Sequence, residues 1–396
     1  MSSPYSVAVS LGLMLVAFLV TGCIYPYVLR FAIRHNYVDK PDSRKLQREP
    51  VPVMGGVTVY IGVVVALAAG FLLLHKSALL TVLPLLTVAF LVGFWDDVKS
   101  ISPASRFIVE IALVWTIIYV FNIKIGNLYG FLGIYHLPES VSLPLSIVAG
   151  VGIINAINLI DGVDGYCSTF CIMACAAFAI FYYNTGSIVA LTISLIAIGS
   201  LIPFFFHNVF GIKSKMFMGD AGSLMLGTLL TIFTFTAFST NLPLIRVYES
   251  GLSVVALTLA VLAVPVFDTL RVMAMRIRLG KSPFHADKTH LHHIFIEMNF
   301  SHLATSGIIV LGNLLIVLAL LLAWHLGASV NFQVFLVMGL ALAFTWAFYL
   351  FVRLEERKNG GKGSDLFNSM KRSGRSTNIS NTKFWLAIQR FVDRAS

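Results

Sequence analysis

Most of the aspartates in this sequence lie in or beside short polar segments that separate long apolar stretches. Carboxylates are costly near a bilayer unless they are paired or used, so these residues are candidates for chemistry. Such groups can bind a cation, move a proton or attack phosphorus. The aspartates in question are Asp39, Asp42, Asp96, Asp97, Asp161, Asp164, Asp220, Asp268 and Asp287.

Two of these segments have a spacing suited to a charged ligand. Asp96 and Asp97 are adjacent, and two like charges so close favour a bound cation or a shared proton. Asn158 and Asp161 are three residues apart at a predicted helix end, which places them on one face of the helix. Two glycines follow and permit a tight turn.

A third segment, residues 217–223, opens a predicted helix with the sequence Phe-Met-Gly-Asp-Ala-Gly-Ser. Backbone amides at a glycine-rich helix N-terminus suit a phosphate, and Asp220 could hold a hard cation beside it. Carboxylates with an amide oxygen favour Mg²⁺, with Mn²⁺ as a substitute.

Basic and histidine residues cluster further along the chain. Arg276 and Arg278 give fixed positive charge for phosphate binding, with anchoring at the cytoplasmic membrane surface as the alternative role. The cluster of His290, His292 and His293 raises zinc as an alternative metal. We favour contact with phosphate or lipid, because the sequence has neither HExxH nor paired CxxC motifs.

The elements that position these groups are predicted to be membrane helices. The sequence is 58% hydrophobic and 12% charged, whereas a soluble domain has roughly 25% charged residues. The apolar stretches are long enough to cross a bilayer. We therefore predict an all-α polytopic membrane protein with about eleven spans, near 5–29, 56–74, 78–95, 105–121, 142–160, 167–183, 187–206, 222–240, 251–270, 304–325 and 330–352.

The basic residues predict the orientation of these helices. With the N-terminus outside and the C-terminus cytoplasmic, all of the 28 Lys and Arg residues except Lys76, Lys124 and Arg246 fall on the cytoplasmic side. The aspartates described above fall on that same side. We expect a catalytic membrane domain over 1–352 and a basic tail over 353–396.

The tail has two predicted parts. Residues 355–382 are polar and rich in Gly, Ser and Lys, and are expected to be flexible. The apolar residues between 384 and 392 follow helical spacing. They predict a short helix on the inner leaflet, with a frayed terminus as the alternative.

The cysteines indicate neither a disulfide framework nor a metal site. Cys167, Cys171 and Cys175 recur every fourth residue on one predicted helix. Small apolar residues at such spacing are typical of a helix interface.

In these segments the chain resembles the polyprenyl-phosphate N-acetylhexosamine-1-phosphate transferase family. The resemblance covers the Asp96-Asp97 pair and the segments 39–56, 155–165, 217–223 and 282–293, in order along most of 1–352. The first and last of these segments are more similar to the WecA/TagO branch than to the MraY branch. That similarity implies UDP-N-acetylglucosamine, or a related UDP-N-acetylhexosamine, as the donor.

The resemblance also implies roles for individual residues. Asp220 would be the principal Mg²⁺ ligand with Asn158 close by, and Phe217 would stack on the uracil. Asp161 and Asp164 would line the nucleotide pocket, and Asp96 and Asp97 would face the lipid phosphate. Arg106 stands where the family has a lysine that reaches phosphates. The remaining substrate-binding candidates are Lys40, Arg44, Lys45, Asn155, Asn208, Arg276, Arg278, His290, His292 and His293.

The implied reaction starts lipid-linked glycan synthesis for the bacterial cell envelope. N-acetylhexosamine 1-phosphate would pass from the UDP-sugar to undecaprenyl phosphate on the cytoplasmic face of the inner membrane, releasing UMP. A direct attack and a covalent aspartyl-phosphate route both remain open. A homodimer is compatible with the resemblance, and the composition requires no nucleic-acid partner.

Two other kinds of function remain alternatives. An MraY-like enzyme would use a donor carrying phospho-MurNAc-pentapeptide. A membrane transporter would instead place acids at midplane depth in related halves of the chain, whereas these acids gather at one interface. A membrane scaffold would leave the Asp, Gly and His clusters unexplained.

Overall fold

The computed structural model describes residues 3–39, 50–238, 250–283, 288–357, 365–377 and 382–394. Two short antiparallel ladders pair β1 (Val38–Asp39) with β2 (Val51–Pro52) and β3 (Asn127–Phe131) with β4 (Ile134–His136). The helices are α1 Pro4–Arg34, α2 Gly55–Leu74, α3 Ala78–Thr81, α4 Leu83–Lys99, α5 Pro103–Phe121, α6 Glu139–Leu159, α7 Tyr166–Thr185, α8 Ile188–Phe210, α9 Gly219–Ala237, α10 Val254–Val261, α11 Ala263–Arg278, α12 Leu291–Glu297, α13 His302–His325, α14 Val330–Leu342, α15 Phe348–Arg357, α16 Asp365–Ser376 and α17 Lys383–Arg394, with a π-helical turn at Ala343–Ala347.

The predicted all-α membrane fold with about eleven spans is confirmed. Within the described residues, ten helical stretches are long and apolar enough to cross a bilayer, and the bent pair α10–α11 makes an eleventh. Helices α3 and α4 together form one such stretch, as do α14 and α15 with the π-helical turn between them.

The ninth predicted span, 251–270, is not one straight helix. It breaks between α10 and α11 with a bend of 74°. Pro265 lacks an N–H and cannot continue the hydrogen-bond pattern across the break. Asn313 of α13 binds the released backbone groups: its Oδ1 accepts from the Val264 N–H at 2.8 Å, and its Nδ2 donates to the Ala260 and Val261 carbonyls at 3.1 Å.

Helix α9 is the buried centre of the fold. In its 18-residue apolar stretch 89% of the residues are buried, and α2, α4 and α6 pack around it. Glycines allow close contact at these crossings, as small residues do in membrane helices generally. A Cβ on Gly93 of α4 would collide with the Asp220 carbonyl, and one on Gly227 would come within 2.8 Å of the Ile154 Cα. The N-terminus of α9 is therefore held tightly against α4.

Gly93→Ala is expected to reduce activity at least tenfold, because the added methyl group would push α4 away from the N-terminus of α9. Initial rates of the reaction proposed below, measured in detergent, check this result. Gly152→Ala is the matched control, since a Cβ on Gly152 meets nothing within 4 Å. Equal activity of the two variants would contradict the importance of this contact.

The tail differs from its prediction. Helix α16 forms within the segment expected to be flexible, so that prediction was wrong for Asp365–Ser376. Its Phe367 is buried, with 1% of its surface exposed. This side chain makes an apolar contact that the polar composition of the segment did not predict. Helix α17 covers the residues predicted to form the second tail helix, and its placement on the membrane stays a prediction.

Candidate functional site

A cavity of about 800 Å³ opens where the ends of several helices and their connecting loops meet. The walls come from the C-terminal end of α4, the α6–α7 loop, the α8–α9 loop and the region from α11 to α12. Most of the site residues predicted from the sequence line it, although they are far apart along the chain. They are Asp96, Asp97, Asn158, Asp161, Asp164, Asn208, Phe217, Asp220, Arg276, His290, His292 and His293.

Asp97 holds the N-terminus of α9. Its Oδ1 accepts the Asp220 N–H at 2.8 Å, and its Oδ2 accepts the Ala221 N–H at 3.0 Å. These amides have no partner inside the helix, and the positive end of the helix dipole favours a carboxylate there. Gly219 has a φ of 73°, and a Cβ on it would come within 2.6 Å of the Asp97 Oδ2. The pair of helices α4 and α9 thus fixes where Asp220 stands.

Asp220 projects from the first turn of α9 into the cavity, with 34% of its side chain exposed. The Nδ2 of Asn158 donates to the Asp220 Oδ1 and, at 2.9 Å, to the Ser223 Oγ. The Asn158 Oδ1 accepts from the Arg106 Nη2 at 2.7 Å. Asn158 therefore aligns the Asp220 carboxylate and connects it to α5.

Arg106 joins the acidic residues of three helices. Its Nη1 lies 3.4 Å from the Asp96 Oδ2 and 3.8 Å from the Asp220 Oδ1, and its Nε donates to the Glu110 Oε1 at 3.2 Å. Arg106 is thus placed behind the acidic cluster and is not among the cavity-lining residues.

Glu110 is a site residue that the sequence analysis missed. It is 2% exposed and accepts hydrogen bonds from Arg106 and from the Asn155 Nδ2. Asn155, predicted to bind substrate, accordingly lies in this supporting layer. The available signal was an acid inside an apolar span, four residues after an arginine.

The carboxylates at the cavity lie close enough to repel one another. Burial raises the pKa of Asp161 well above its ordinary value, and the nearby charges of Asp220 and Asp97 raise it further. A divalent cation would offset that repulsion. Among the described residues no group of three or more His, Cys, Asp or Glu side chains is placed so that it could hold a metal ion. Mg²⁺ needs few protein ligands, because it keeps several waters.

Asp164 also lines the cavity but lies in a different electrostatic environment. Its Oδ2 is 2.7 Å from the Lys215 Nζ and 2.7 Å from the His302 Nδ1. Burial alone would raise the pKa of Asp164, but the His302 hydrogen bond and the Lys215 charge outweigh it and lower the pKa. Lys215 and His302 were not predicted from the sequence. The one sequence feature that pointed to Lys215 is its position two residues before Phe217.

The loop before α9 is fixed by backbone hydrogen bonds. The Phe217 N–H donates to the Pro52 carbonyl, and the Phe217 carbonyl accepts the Gly55 N–H, both at 2.8 Å. The Phe217 ring lies 5.6 Å from the Lys215 Nζ and lines the cavity. Asn208, a predicted binding residue, instead bridges two loops: its Oδ1 accepts the Gly165 N–H at 2.7 Å and its Nδ2 donates to the Met216 carbonyl at 2.8 Å.

Asp268 orients the start of the histidine cluster through hydrogen bonds. The Asp268 Oδ2 binds the His290 Nδ1 at 3.0 Å and accepts the Leu291 N–H at 3.1 Å, while its Oδ1 pairs with the Arg271 Nη2 at 2.6 Å. His290 is 5% exposed, and its Nε2 has no hydrogen-bond partner among the described residues. Asp268 was named among the candidate acids but was given no role in the site. Arg271 was not predicted from the sequence.

His292 is a buried member of the histidine cluster. Burial lowers its pKa well below the ordinary value, and the neighbouring His293 and His290 lower it further. The imidazole is therefore neutral at neutral pH. A Cβ on Gly162 would come within 2.9 Å of the His292 Nε2, which explains why glycine suits that turn.

The two arginines of α11 that were predicted to bind substrate differ in their positions relative to the cavity. Arg276 lines the cavity and donates to the Pro283 carbonyl at 2.6 Å. Arg278 is exposed and is not among the cavity-lining residues, since two residues along a helix turn a side chain by about 200°. Lys40, Arg44 and Lys45 lie outside the described residues.

Comparison with known proteins identifies similar sequences. The profile of a family described as Glycosyl transferase family 4 matches residues 79–238. A Bacillus subtilis (strain 168) protein named probable undecaprenyl-phosphate N-acetylglucosaminyl 1-phosphate transferase is 32% identical, covering 73% of this chain and 77% of the relative. The decaprenyl-phosphate N-acetylglucosaminephosphotransferase of Mycolicibacterium smegmatis is 30% identical, covering 73% and 75%. The undecaprenyl-phosphate alpha-N-acetylglucosaminyl 1-phosphate transferase of Escherichia coli O157:H7 is 30% identical, covering 72% and 76%.

Proposed function

Because the chain belongs to the polyprenyl-phosphate N-acetylhexosamine-1-phosphate transferase family, we propose that it transfers N-acetylglucosamine 1-phosphate from UDP-N-acetylglucosamine to undecaprenyl phosphate. The relatives named above are described as transferases of N-acetylglucosamine 1-phosphate to undecaprenyl or decaprenyl phosphate, which supports the reaction class. The lipid oxygen attacks the β-phosphorus of the donor. The bond between that phosphorus and the bridging oxygen breaks, and its electron pair leaves with UMP.

The observation that carries this proposal is that acidic and basic side chains line the same cavity. Four acids line it together with Lys215, Arg276 and the histidines, and these acids are Asp96, Asp97, Asp161 and Asp220. Phosphoryl transfer needs chiefly positioning and neutralisation of phosphate charge. Such a cavity can hold a diphosphate between fixed cations and a carboxylate-bound metal.

We place Mg²⁺, or Mn²⁺, at Asp220. When bound, the metal neutralises diphosphate oxygens and stabilises the UMP leaving group. The protein's part is to orient the carboxylate through Asn158 and Arg106 and to hold the helix N-terminus through Asp97. Asp161 lies close enough to Asp220 and Asp97 for their charges to raise its pKa, so it is a second carboxyl group beside the proposed metal site.

The lipid phosphate is assigned to the side of the cavity near Asp96 and Asp97. Both oxygens of Asp97 accept α9 amides, so a covalent aspartyl-phosphate at Asp97 would release the helix end that carries Asp220. This arrangement favours direct attack by the lipid phosphate. The Asp96 carboxylate is engaged by the Ile101 N–H at 2.7 Å and by Arg106, and it orients the acceptor.

The donor is assigned to the part of the cavity lined by Phe217, Asp164 and Lys215. Phe217 presents a ring for the uracil, and the Asp164 group with Lys215 and His302 forms the adjacent nucleotide wall. Arg276 supplies charge for the diphosphate. The His290 Nε2, which has no partner among the described residues, is assigned to the sugar phosphate.

The chain is a multi-pass membrane protein. We place it in the bacterial inner membrane with the cavity on the cytoplasmic side. Nucleotide sugars are made there, and the segments rich in Lys and Arg are predicted to lie on that side. The product would start synthesis of a lipid-linked envelope glycan.

Transfer of radiolabel from UDP-N-acetylglucosamine to undecaprenyl phosphate by the purified protein tests the proposal. We expect labelled lipid and equimolar UMP with Mg²⁺, and neither product with EDTA. UDP-N-acetylgalactosamine and the peptide-bearing donor serve as comparison substrates. No lipid labelling from any donor by folded protein would refute the assignment and favour a transporter.

A further inference from the structure

The side-chain contacts of Asp164 come from two distant parts of the chain. Lys215 lies in the α8–α9 loop, and His302 is the first residue of α13. Both side chains reach the same Asp164 oxygen at 2.7 Å. The position of each backbone segment therefore affects how well its side chain reaches Asp164.

Helix α17 binds the backbone just before Lys215. The Asp393 Oδ1 accepts the Ile212 N–H at 3.2 Å, the Ser214 N–H at 3.1 Å and the Ser214 O–H at 2.9 Å. On the same helix Trp385 packs against Phe210, with ring centroids 4.7 Å apart. One tail carboxylate therefore fixes the short turn from which Lys215 extends.

Helix α16 and the residue after it bind the backbone just before His302. The Ser301 N–H donates to the Thr377 Oγ1 at 3.0 Å, and the Ser301 O–H donates to the Thr377 carbonyl at 3.1 Å. A Cβ on Gly374 would collide with the Met298 carbonyl, so this helix sits directly on the α12–α13 turn. Ser301 in turn caps α13 by accepting the Ala304 N–H at 3.3 Å.

We propose that the two tail helices act as a clamp that positions Lys215 and His302 on Asp164 and so shapes the donor pocket. Asp393 and Thr377 are its positioning residues, and neither lines the cavity. Each contacts the serine that precedes Lys215 or His302 through the backbone N–H and the hydroxyl group of that serine. The inference rests on the proposed function, because Asp164 lies where the nucleotide of the donor is placed.

The test uses the full chain in detergent with Asp393→Ala, Thr377→Val and both together. Hydrogen–deuterium exchange is expected to accelerate at the Ile212 and Ser214 amides in the first variant and at the Ser301 amide in the second. The KM for the UDP-sugar is expected to rise about tenfold in the double variant, the range of a lost capping interaction. The KM for the lipid phosphate should stay unchanged, because Asp96 and Asp97, on its assigned side of the cavity, are held by Ile101, Arg106 and the N-terminus of α9.

Phe384→Ala is the matched control. Phe384 lies on α17 but is 73% exposed, so this variant should exchange and bind donor like the wild type. Unchanged exchange in the double variant would overturn the clamp, as would faster exchange with an unaltered donor KM or an equal rise in both KM values. Hydrogen–deuterium exchange can be measured without any turnover of substrate. An inactive wild type would refute the proposed function while the exchange data still decide whether the tail holds these segments.

Discussion

Replacing Asp220 by asparagine is expected to lower the rate of transfer on the order of 10³-fold, as removal of a central charge-stabilising group does in other enzymes. Asparagine keeps the shape of the side chain and an oxygen that can accept from Asn158. The change therefore removes the negative charge with little effect on packing. Because the metal is proposed to bind this carboxylate, added Mg²⁺ should restore only a small part of the rate.

Initial rates across a Mg²⁺ titration, with thermal unfolding measured on the same samples, separate loss of metal from loss of fold. Glu139→Gln is a suitable control, because Glu139 pairs with Lys124 at the other end of α6. The metal assignment would fail if Asp220→Asn kept more than half of the wild-type rate at every Mg²⁺ concentration.

Replacing Asp268 by alanine is expected to destabilise the protein by roughly 3–5 kcal/mol, because Arg271 would be left as an unpaired buried charge. Arg271 is 0% exposed, and its other contacts, the Thr289 carbonyl at 2.5 Å and the Tyr349 ring at 4.2 Å, do not neutralise it. His290 would also lose the partner that fixes its orientation. Activity should fall by about 10²-fold, and thermal unfolding should begin at a lower temperature.

A double variant distinguishes the two roles of Asp268. Asp268→Ala with Arg271→Met removes the buried charge and fills the space with an apolar side chain, so much of the stability should return. The rate should not return, since His290 still lacks its carboxylate partner. Recovery of both stability and rate would show that Asp268 serves the fold alone.

The acidic residues of the site were predictable from the sequence because charges beside apolar spans are costly and therefore informative. Asp96, Asp97, Asp161, Asp164 and Asp220 all line one cavity, as expected from segments placed on one side of the membrane. The spans themselves follow from hydropathy. The bend between α10 and α11 does not, because two short apolar helices and one straight span have the same composition.

The partners of the acids were not predictable. Lys215 and His302 pair with Asp164 across 51 and 138 residues, and no local pattern encodes such contacts. The place of Glu110 in an apolar span is a sequence signal, but its contact with Asn155, 45 residues away, has none. The segment that forms α16 reads as a polar linker, because its helix depends on a docking partner rather than on its own apolar content.

The order of the helices along the chain sets the order in which the site assembles during biogenesis. Helices α2, α4 and α6, which enclose α9, all precede it and are synthesised before it leaves the ribosome. Asp97, Asp161 and Asp220 can therefore meet as soon as α9 enters the membrane. The histidine segment arrives later and the tail last. A nascent chain would thus bring its carboxylates together early and complete its donor pocket only after α16 and α17 have been synthesised, so turnover would depend on helices that follow the membrane spans.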